Sequence, residues 1–158
     1  SLRRSEKMSD KDKKENGKSL AAEFYKNTKM GADSITDLIG HVENEKLRVE
    51  MTSELDRYEE LASRAAKLSR DRGEEPKEEG ALAKAAVKMS MAVNTMADSS
   101  ASHIAEMMIQ GAGMGVTDLR CAISAEERLE KPDAEAVALA RETVRFEESS
   151  AEKLKAFL

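Results

Sequence analysis

The chain contains a seven-residue phrase, Glu54-Leu55-Asp56-Arg57-Tyr58-Glu59-Glu60, that recurs in altered form as Glu142-Thr143-Val144-Arg145-Phe146-Glu147-Glu148. Each copy has an Arg followed by an aromatic residue and two Glu residues. A second echo, Thr-Asp-Leu at 36–38 and at 117–119, precedes each copy. Both copies lie in long stretches with the apolar period of an α-helix. The repeats therefore predict two related helical hairpins in one chain.

Apolar residues recur every three or four positions over most of the sequence, which is typical of amphipathic helices. We expect helices over about 19–42, 45–72, 101–128 and 133–157, with an Ala/Met-rich connecting helix over 81–97. Gly73 and Pro76 end the second helix, and Pro132 separates the third from the fourth. A connecting helix of this length can cross the whole bundle, so that the third helix runs parallel to the second.

The composition fits a single all-α domain. The chain has 158 residues, of which 40% are hydrophobic and 36% charged, with no Trp and few other aromatic residues. A core of Ala, Leu, Met, Val and Ile favours helices over strands. Residues 1–18 are almost entirely polar and charged, so we expect a charged N-terminal tail followed by a helical bundle over 19–158.

Charge and cysteine content narrow the classes of partner. The net charge of -5 argues against nucleic acid, because binding phosphates requires a surplus of Lys and Arg. Cys121 is the only cysteine, which excludes a disulfide within the chain and a zinc site built from several thiolates. The sequence also has neither an uncharged apolar run of membrane-spanning length nor a signal-peptide pattern. We expect a cytoplasmic protein with no membrane contact.

The order of features resembles that of a known family. Leu47-Arg48 open the second helix, 73–76 (Gly-Glu-Glu-Pro) end it, and an inserted helix and an acidic hairpin follow. In this order the chain resembles an uncharacterised bacterial ferritin-like four-helix-bundle family, a domain of unknown function, over roughly 19–158. The resemblance implies an all-α, ferritin-like four-helix bundle from two duplicated helical hairpins, with an extra crossover helix. It implies no activity.

The repeated phrase departs from the pattern of ferritin-like di-iron proteins. Those proteins carry a Glu on each of two helices and Glu-x-x-His on each of the other two. Here the corresponding places read Glu54-x-x-Arg57 and Glu142-x-x-Arg145. A guanidinium group stays protonated and has no lone pair for iron. We therefore do not expect a complete di-iron centre.

Two carboxyl groups nevertheless fall on apolar stripes. Glu54 on the second helix and Glu147 on the fourth would meet at one level of the bundle if these helices run antiparallel. Buried together, they would share a proton, bind iron, manganese or zinc, or pair with Arg57 or Arg145. The more ordinary interpretation, which we favour, places one or both at a helix edge in a common salt bridge.

His103 and Glu106 form a weaker candidate metal site, because a spacing of three places them on one face of the third helix. That face also carries Gln110 and Thr117 and points away from the expected core. Exposure to solvent, or packing under the connecting helix, is favoured over metal ligation.

The glycines and methionines between 89 and 115 are expected to have ordinary structural roles. The Gly-rich stretch 111–115 lacks a preceding strand and the spacing of a phosphate loop, so we expect it to allow close helix packing or a bend. The methionines between 89 and 114 suit an Ala-rich core or a dimer interface better than copper or haem.

Two functional hypotheses follow. The first is a non-enzymatic, cytosolic helical bundle that self-associates as a homodimer or a larger homo-oligomer and has no cofactor. The alternative is a ferritin-like metal-binding protein with a degenerate carboxylate site at Glu54 and Glu147. A metal-free dimer would favour the first hypothesis, and a monomer with stoichiometric metal the second.

Overall fold

The computed structural model describes residues 19–77 and 98–158, together with 84, 87, 88, 91, 92 and 95 between them. These residues form helices and no strands, which confirms the prediction of an all-α fold. The four long helices are α1 (Leu20–Ile39), α2 (Glu45–Asp71), α3 (Ala101–Glu127) and α4 (Ala134–Leu154), and a short 3-10 turn, Lys155–Phe157, follows α4.

The helix ends follow from local side-chain chemistry. Each long helix begins after a residue whose side chain accepts a hydrogen bond from a backbone N–H of the first turn, namely Ser19, Asn44, Ser100 and Asp133. At the end of α2, Gly73 has φ +75°, a left-handed conformation that costs glycine little. The next residue, Glu74, donates its backbone N–H to Ser69 O and closes the turn.

The four helices pack as two hairpins that face each other. α1 packs on α2 and α3 packs on α4, while α1 also contacts α3 and α2 contacts α4. Arg72, just after α2, binds Asp133 at the start of α4, and Ser150 near the end of α4 binds Glu54 near the start of α2. α2 and α4 are therefore antiparallel. Asn27, early in α1, binds Gly115 in the second half of α3.

These contacts establish how the four long helices pack, and none of them involves the segment that connects the two hairpins. The predicted connecting helix over 81–97 lies largely outside the described residues, although the six described positions within it are helical. The predicted tail over 1–18 lies outside them entirely. No helix in the described part of the chain combines the length and apolarity needed to cross a membrane.

The interior consists of two apolar clusters with polar residues between them. The first cluster includes Phe24, Leu61 and Leu119 at one end of the bundle. The second includes Ile35, Met51 and Ile104 toward the other end. Where the two clusters meet lie five side chains that we call the polar layer: Asn27, Glu54, Tyr58, Glu147 and Ser150, of which Tyr58 also belongs to the second cluster. This layer is the candidate site.

Candidate functional site

Two reciprocal hydrogen bonds join α2 to α4 within the polar layer. The Tyr58 hydroxyl donates to Glu147 Oε2 at 3.0 Å, and the Ser150 hydroxyl donates to Glu54 Oε1. Tyr58 lies one turn after Glu54 on α2, and Ser150 lies one turn after Glu147 on α4. The two carboxyl groups are thus staggered by about one turn across the helix pair, whereas the sequence predicted a single level.

Glycines on α1 and α3 make room for these side chains. A Cβ atom at Gly31 would lie closer than 3.0 Å to the ring of Tyr58, and one at Gly115 would lie closer than 3.0 Å to Glu147 Oε2. A Cβ atom at either position would therefore force its neighbour to shift: the ring of Tyr58 at Gly31, and the flexible carboxyl end of Glu147 at Gly115. The ring of Tyr58 also packs edge-on against Phe146, with centroids 4.9 Å apart.

Asn27 connects α1 and α3 to the carboxyl groups. Its amide nitrogen donates to Gly115 O at 3.0 Å and also hydrogen-bonds Glu147. Its carbonyl oxygen, Oδ1, is buried and has no hydrogen-bond partner among the described residues. The side chains that face one another here therefore come from α1, α2 and α4, and the backbone of α3 completes the set.

Each carboxyl group also has one unpaired oxygen. Glu54 and Glu147 are 4% and 3% exposed, and Glu54 Oε2 and Glu147 Oε1 have no hydrogen-bond partner in the described part of the chain. The expectation of an ordinary salt bridge at a helix edge is therefore wrong for both. Arg57 instead binds Glu60 and Glu142.

Burial changes the protonation of both groups. It raises the pKa of Glu147 to about 8, with Asp118 adding to the rise and the hydrogen bonds from Tyr58 and Asn27 opposing it. Burial likewise raises the pKa of Glu54 to about 7; the hydrogen bond from Ser150 and the charge of Lys153 oppose this shift, and Glu50, which also hydrogen-bonds Glu54, adds to it. Near neutral pH, Glu147 is thus mainly a neutral acid, and Glu54 is divided between its two forms.

The polar layer opens onto a cavity of about 470 Å³ between α1, α3 and the described residues Val87 and Met91. All five side chains of the layer line it. Five methionines form much of the remaining wall: Met30, Met91, Met107, Met108 and Met114. Exposed Gln110 and Met114 lie at its outer rim. The cavity therefore has an acidic floor, an apolar wall and an open side.

The described residues do not fit a ferritin-like di-iron centre. None of them form a group of three or more His, Cys, Asp or Glu side chains that could hold a metal ion. Glu142, the counterpart of Glu54 in the repeated phrase, is half-buried and binds Arg57 and Arg64. The buried carboxyl group is therefore Glu54 in the first copy of the repeat and Glu147 in the second, while Arg57 and Arg145 lie on the outside of the bundle.

The weaker candidate pair lies at the first turns of α3. His103 is half-buried, and its Nε2 has no hydrogen-bond partner among the residues described, whereas Glu106 is exposed. Neither residue lines the cavity of the polar layer. The structure thus separates His103 and Glu106 from Glu54 and Glu147.

Sequence reasoning missed three members of the polar layer. Asn27 precedes the buried Thr28 on the inner face of α1, and a helix-interior Asn with low helix propensity was an available signal. Tyr58 falls on the apolar face of α2, but periodicity does not predict its hydrogen bond to Glu147. Ser150, one turn from Glu147, resembled any surface serine. Its role emerges only when α2 is placed against α4.

Comparisons with known proteins give no assignment: no family model, curated protein or solved structure matches the chain.

Proposed function

We propose that this protein is a ferritin-like bundle with a binding function, and that its interior site takes up a cation at Glu54 and Glu147. The observation that carries the proposal is that Glu54, Glu147 and Asn27 line one cavity and that each has a buried oxygen without a hydrogen-bond partner among the described residues. Unpaired buried acceptors are costly, and a cation would satisfy them together.

The charges around the cavity support a cation over an anion. Four carboxyl groups line it, those of Glu23, Glu54, Asp118 and Glu147, and Lys26 is the sole Lys or Arg among the described lining residues. Lys26 lies 4.0 Å from Glu23, so its charge is already matched. The remaining acidic groups, once deprotonated, favour positive charge in an apolar interior, where electrostatic attraction is stronger than in water.

The test is a cation panel measured by thermal unfolding. The wild-type protein, freed of metal, is heated with Mn²⁺, Fe²⁺, Zn²⁺ and small organic ammonium ions at pH 8. A cation that binds the folded chain raises Tm, and above Kd the rise grows with the logarithm of the cation concentration. We expect at least one cation to raise Tm in the wild type and in Glu148→Gln, but not in Glu54→Gln or Glu147→Gln. The absence of any such rise would refute the proposal.

One form of this proposal is that the cation is a metal ion, held in a degenerate ferritin-like site. Two carboxylate oxygens and one amide oxygen form a hard donor set, the kind that suits Mn²⁺ among transition metals. Binding of Mn²⁺ or Fe²⁺ that depends on both Glu residues, with elemental analysis showing one metal per chain, would support it.

Self-association and a cytoplasmic location also remain proposals. A homodimer would give twice the 17.4 kDa chain mass in solution. Sedimentation equilibrium of the same metal-free sample tests this, and the mass of a single chain across the concentration range would contradict it.

A further inference from the structure

The interior site is much larger than a metal ion and its ligands require. Metal–oxygen distances are about 2.0–2.6 Å, so ligated ions fill little space beyond their donors. The cavity here measures about 470 Å³, a volume in the range of small organic ligands. Any occupant that fills it must extend from the acidic floor along the remaining wall.

That wall is apolar and adaptable. Met107 and Met108 on α3 and Met30 on α1 line the cavity beside the polar layer, and each is partly buried. Methionine side chains are flexible and polarizable, and they form binding surfaces that fit several apolar shapes. The wall therefore suits a hydrocarbon body better than a hydrated ion.

The acidic floor of the cavity has three oxygen atoms without a hydrogen-bond partner among the described residues, and a primary ammonium group has three N–H donors. Glu54 Oε2, Glu147 Oε1 and Asn27 Oδ1 each lack a partner among the described residues. A primary ammonium group carries three N–H donors and no acceptor. One such group presents the complementary set of hydrogen bonds and a charge that matches a deprotonated carboxyl.

From these observations we propose that the ligand is a primary amine with an apolar body, bound as its ammonium ion. The head lies at Glu54, Glu147 and Asn27, and the body extends along the methionine wall toward the rim at Met114. The inference rests on the proposed cation site and assigns its ligand class. A quaternary ammonium, which has no N–H donor, would leave all three oxygens unpaired and bind more weakly.

The test uses n-hexylammonium as the probe and isothermal titration calorimetry on the wild-type chain at pH 8. Three matched compounds separate the contributions: 1-hexanol has the body without the charge, methylammonium has the head without the body, and hexyltrimethylammonium has the charge without donors. We expect n-hexylammonium to bind at least tenfold more tightly than each. Equal or tighter binding of hexanol or hexyltrimethylammonium would overturn the inference.

Variants then locate the probe. Glu54→Gln and Glu147→Gln should each weaken n-hexylammonium at least tenfold, while Glu148→Gln, at an exposed neighbouring position, should not. Met108→Gln should weaken n-hexylammonium but leave methylammonium unchanged. Unchanged n-hexylammonium binding in both interior Glu variants would refute the placement. If a Glu variant fails to fold, the ligand comparison on the wild type still decides the chemical class.

The same measurements distinguish failure of the inference from failure of the proposed function. Binding of Mn²⁺ or Zn²⁺ that requires Glu54 and Glu147, without binding of n-hexylammonium, would leave the cation site standing and overturn the amine. If neither a metal nor any ammonium ion binds, both proposals fall.

Discussion

Among the carboxyl groups of the described residues, Glu147 has the most strongly raised pKa. Its pKa is raised from 4.5 in the unfolded reference to about 8 by burial. The folded chain thus holds a proton that the unfolded chain releases above about pH 4.5. The resulting contribution to stability is fully present below pH 4.5 and is lost as pH rises through 8.

We therefore expect the free energy of unfolding to decline between pH 5 and pH 8 in the absence of ligand. The slope from this group is at most about 1.4 kcal/mol per pH unit. Glu147→Gln keeps the shape of the neutral acid and should remove this group's share of the decline, so that only the share of Glu54, whose pKa is raised to about 7, remains. Urea unfolding at three pH values checks this, with Glu148→Gln as the control. A wild-type slope in the Glu147→Gln variant would show that another group causes the decline.

The Tyr58 hydroxyl gives a second residue-scale prediction. Tyr58→Phe keeps the ring against Phe146 and removes the donor to Glu147 Oε2. Loss of a buried partner should destabilise the fold by about 1–3 kcal/mol. Denaturant unfolding at pH 8 measures the change. The control is Tyr25→Phe, which removes a hydroxyl from a half-buried ring of α1; an equal loss there would argue against a special role for Tyr58.

At the scale of the helices, the glycines differ in role although they share a low helix propensity. Gly31 on α1 faces the ring of Tyr58 on α2, whereas a Cβ atom at Gly113 on α3 would meet nothing within 4 Å. The expectation that the 111–115 stretch as a whole allows close packing is therefore too broad. Only Gly115 of its three glycines has close neighbours, and these are the side chains of Glu147 and Asn27.

Alanine substitution should separate these two roles. Gly31→Ala places a Cβ atom against a ring that Phe146 prevents from retreating freely, so we expect a loss of about 1–3 kcal/mol from overpacking. Gly113→Ala should instead raise the free energy of unfolding by up to about 1 kcal/mol through helix propensity. Guanidinium unfolding of the two variants measures both. Destabilisation by Gly113→Ala would mean that another surface covers α3 at this point.

At the scale of the molecule, the helices were predictable because each has a capping side chain and a continuous apolar period. The apolar stripes also indicated an inward direction for Glu54 and Glu147, but the rarity of buried carboxyl groups favoured a helix edge, and that expectation was wrong. The hydrogen bonds were not predictable. Asn27 and Gly115 are 88 residues apart, and their bond depends on how α1 meets α3. Apolar periodicity shows which face of a helix is buried, but it does not show how two helices pack against each other.

The arrangement of the interior explains why a polar layer can persist in so small a core. The polar layer lies where the two apolar clusters meet, with Tyr58 also part of the second cluster, and the hydrogen bonds of Tyr58 and Ser150 join α2 to α4 there. The unpaired oxygens remain a cost, which protonation reduces but does not remove. Ligand binding would recover that cost, so binding and stability must depend on pH in opposite directions over the same range.

This linkage gives the last prediction. A cation competes with the protons on Glu54 and Glu147, whose pKa values are raised to about 7 and about 8. The apparent affinity should therefore rise between pH 6 and pH 8.5, by at most about tenfold per pH unit for each proton released, and level off above pH 8.5. Calorimetry in buffers of different ionisation enthalpy counts those protons directly. An affinity that stays constant across this range, with no proton released, would place the cation elsewhere than between these two carboxyl groups.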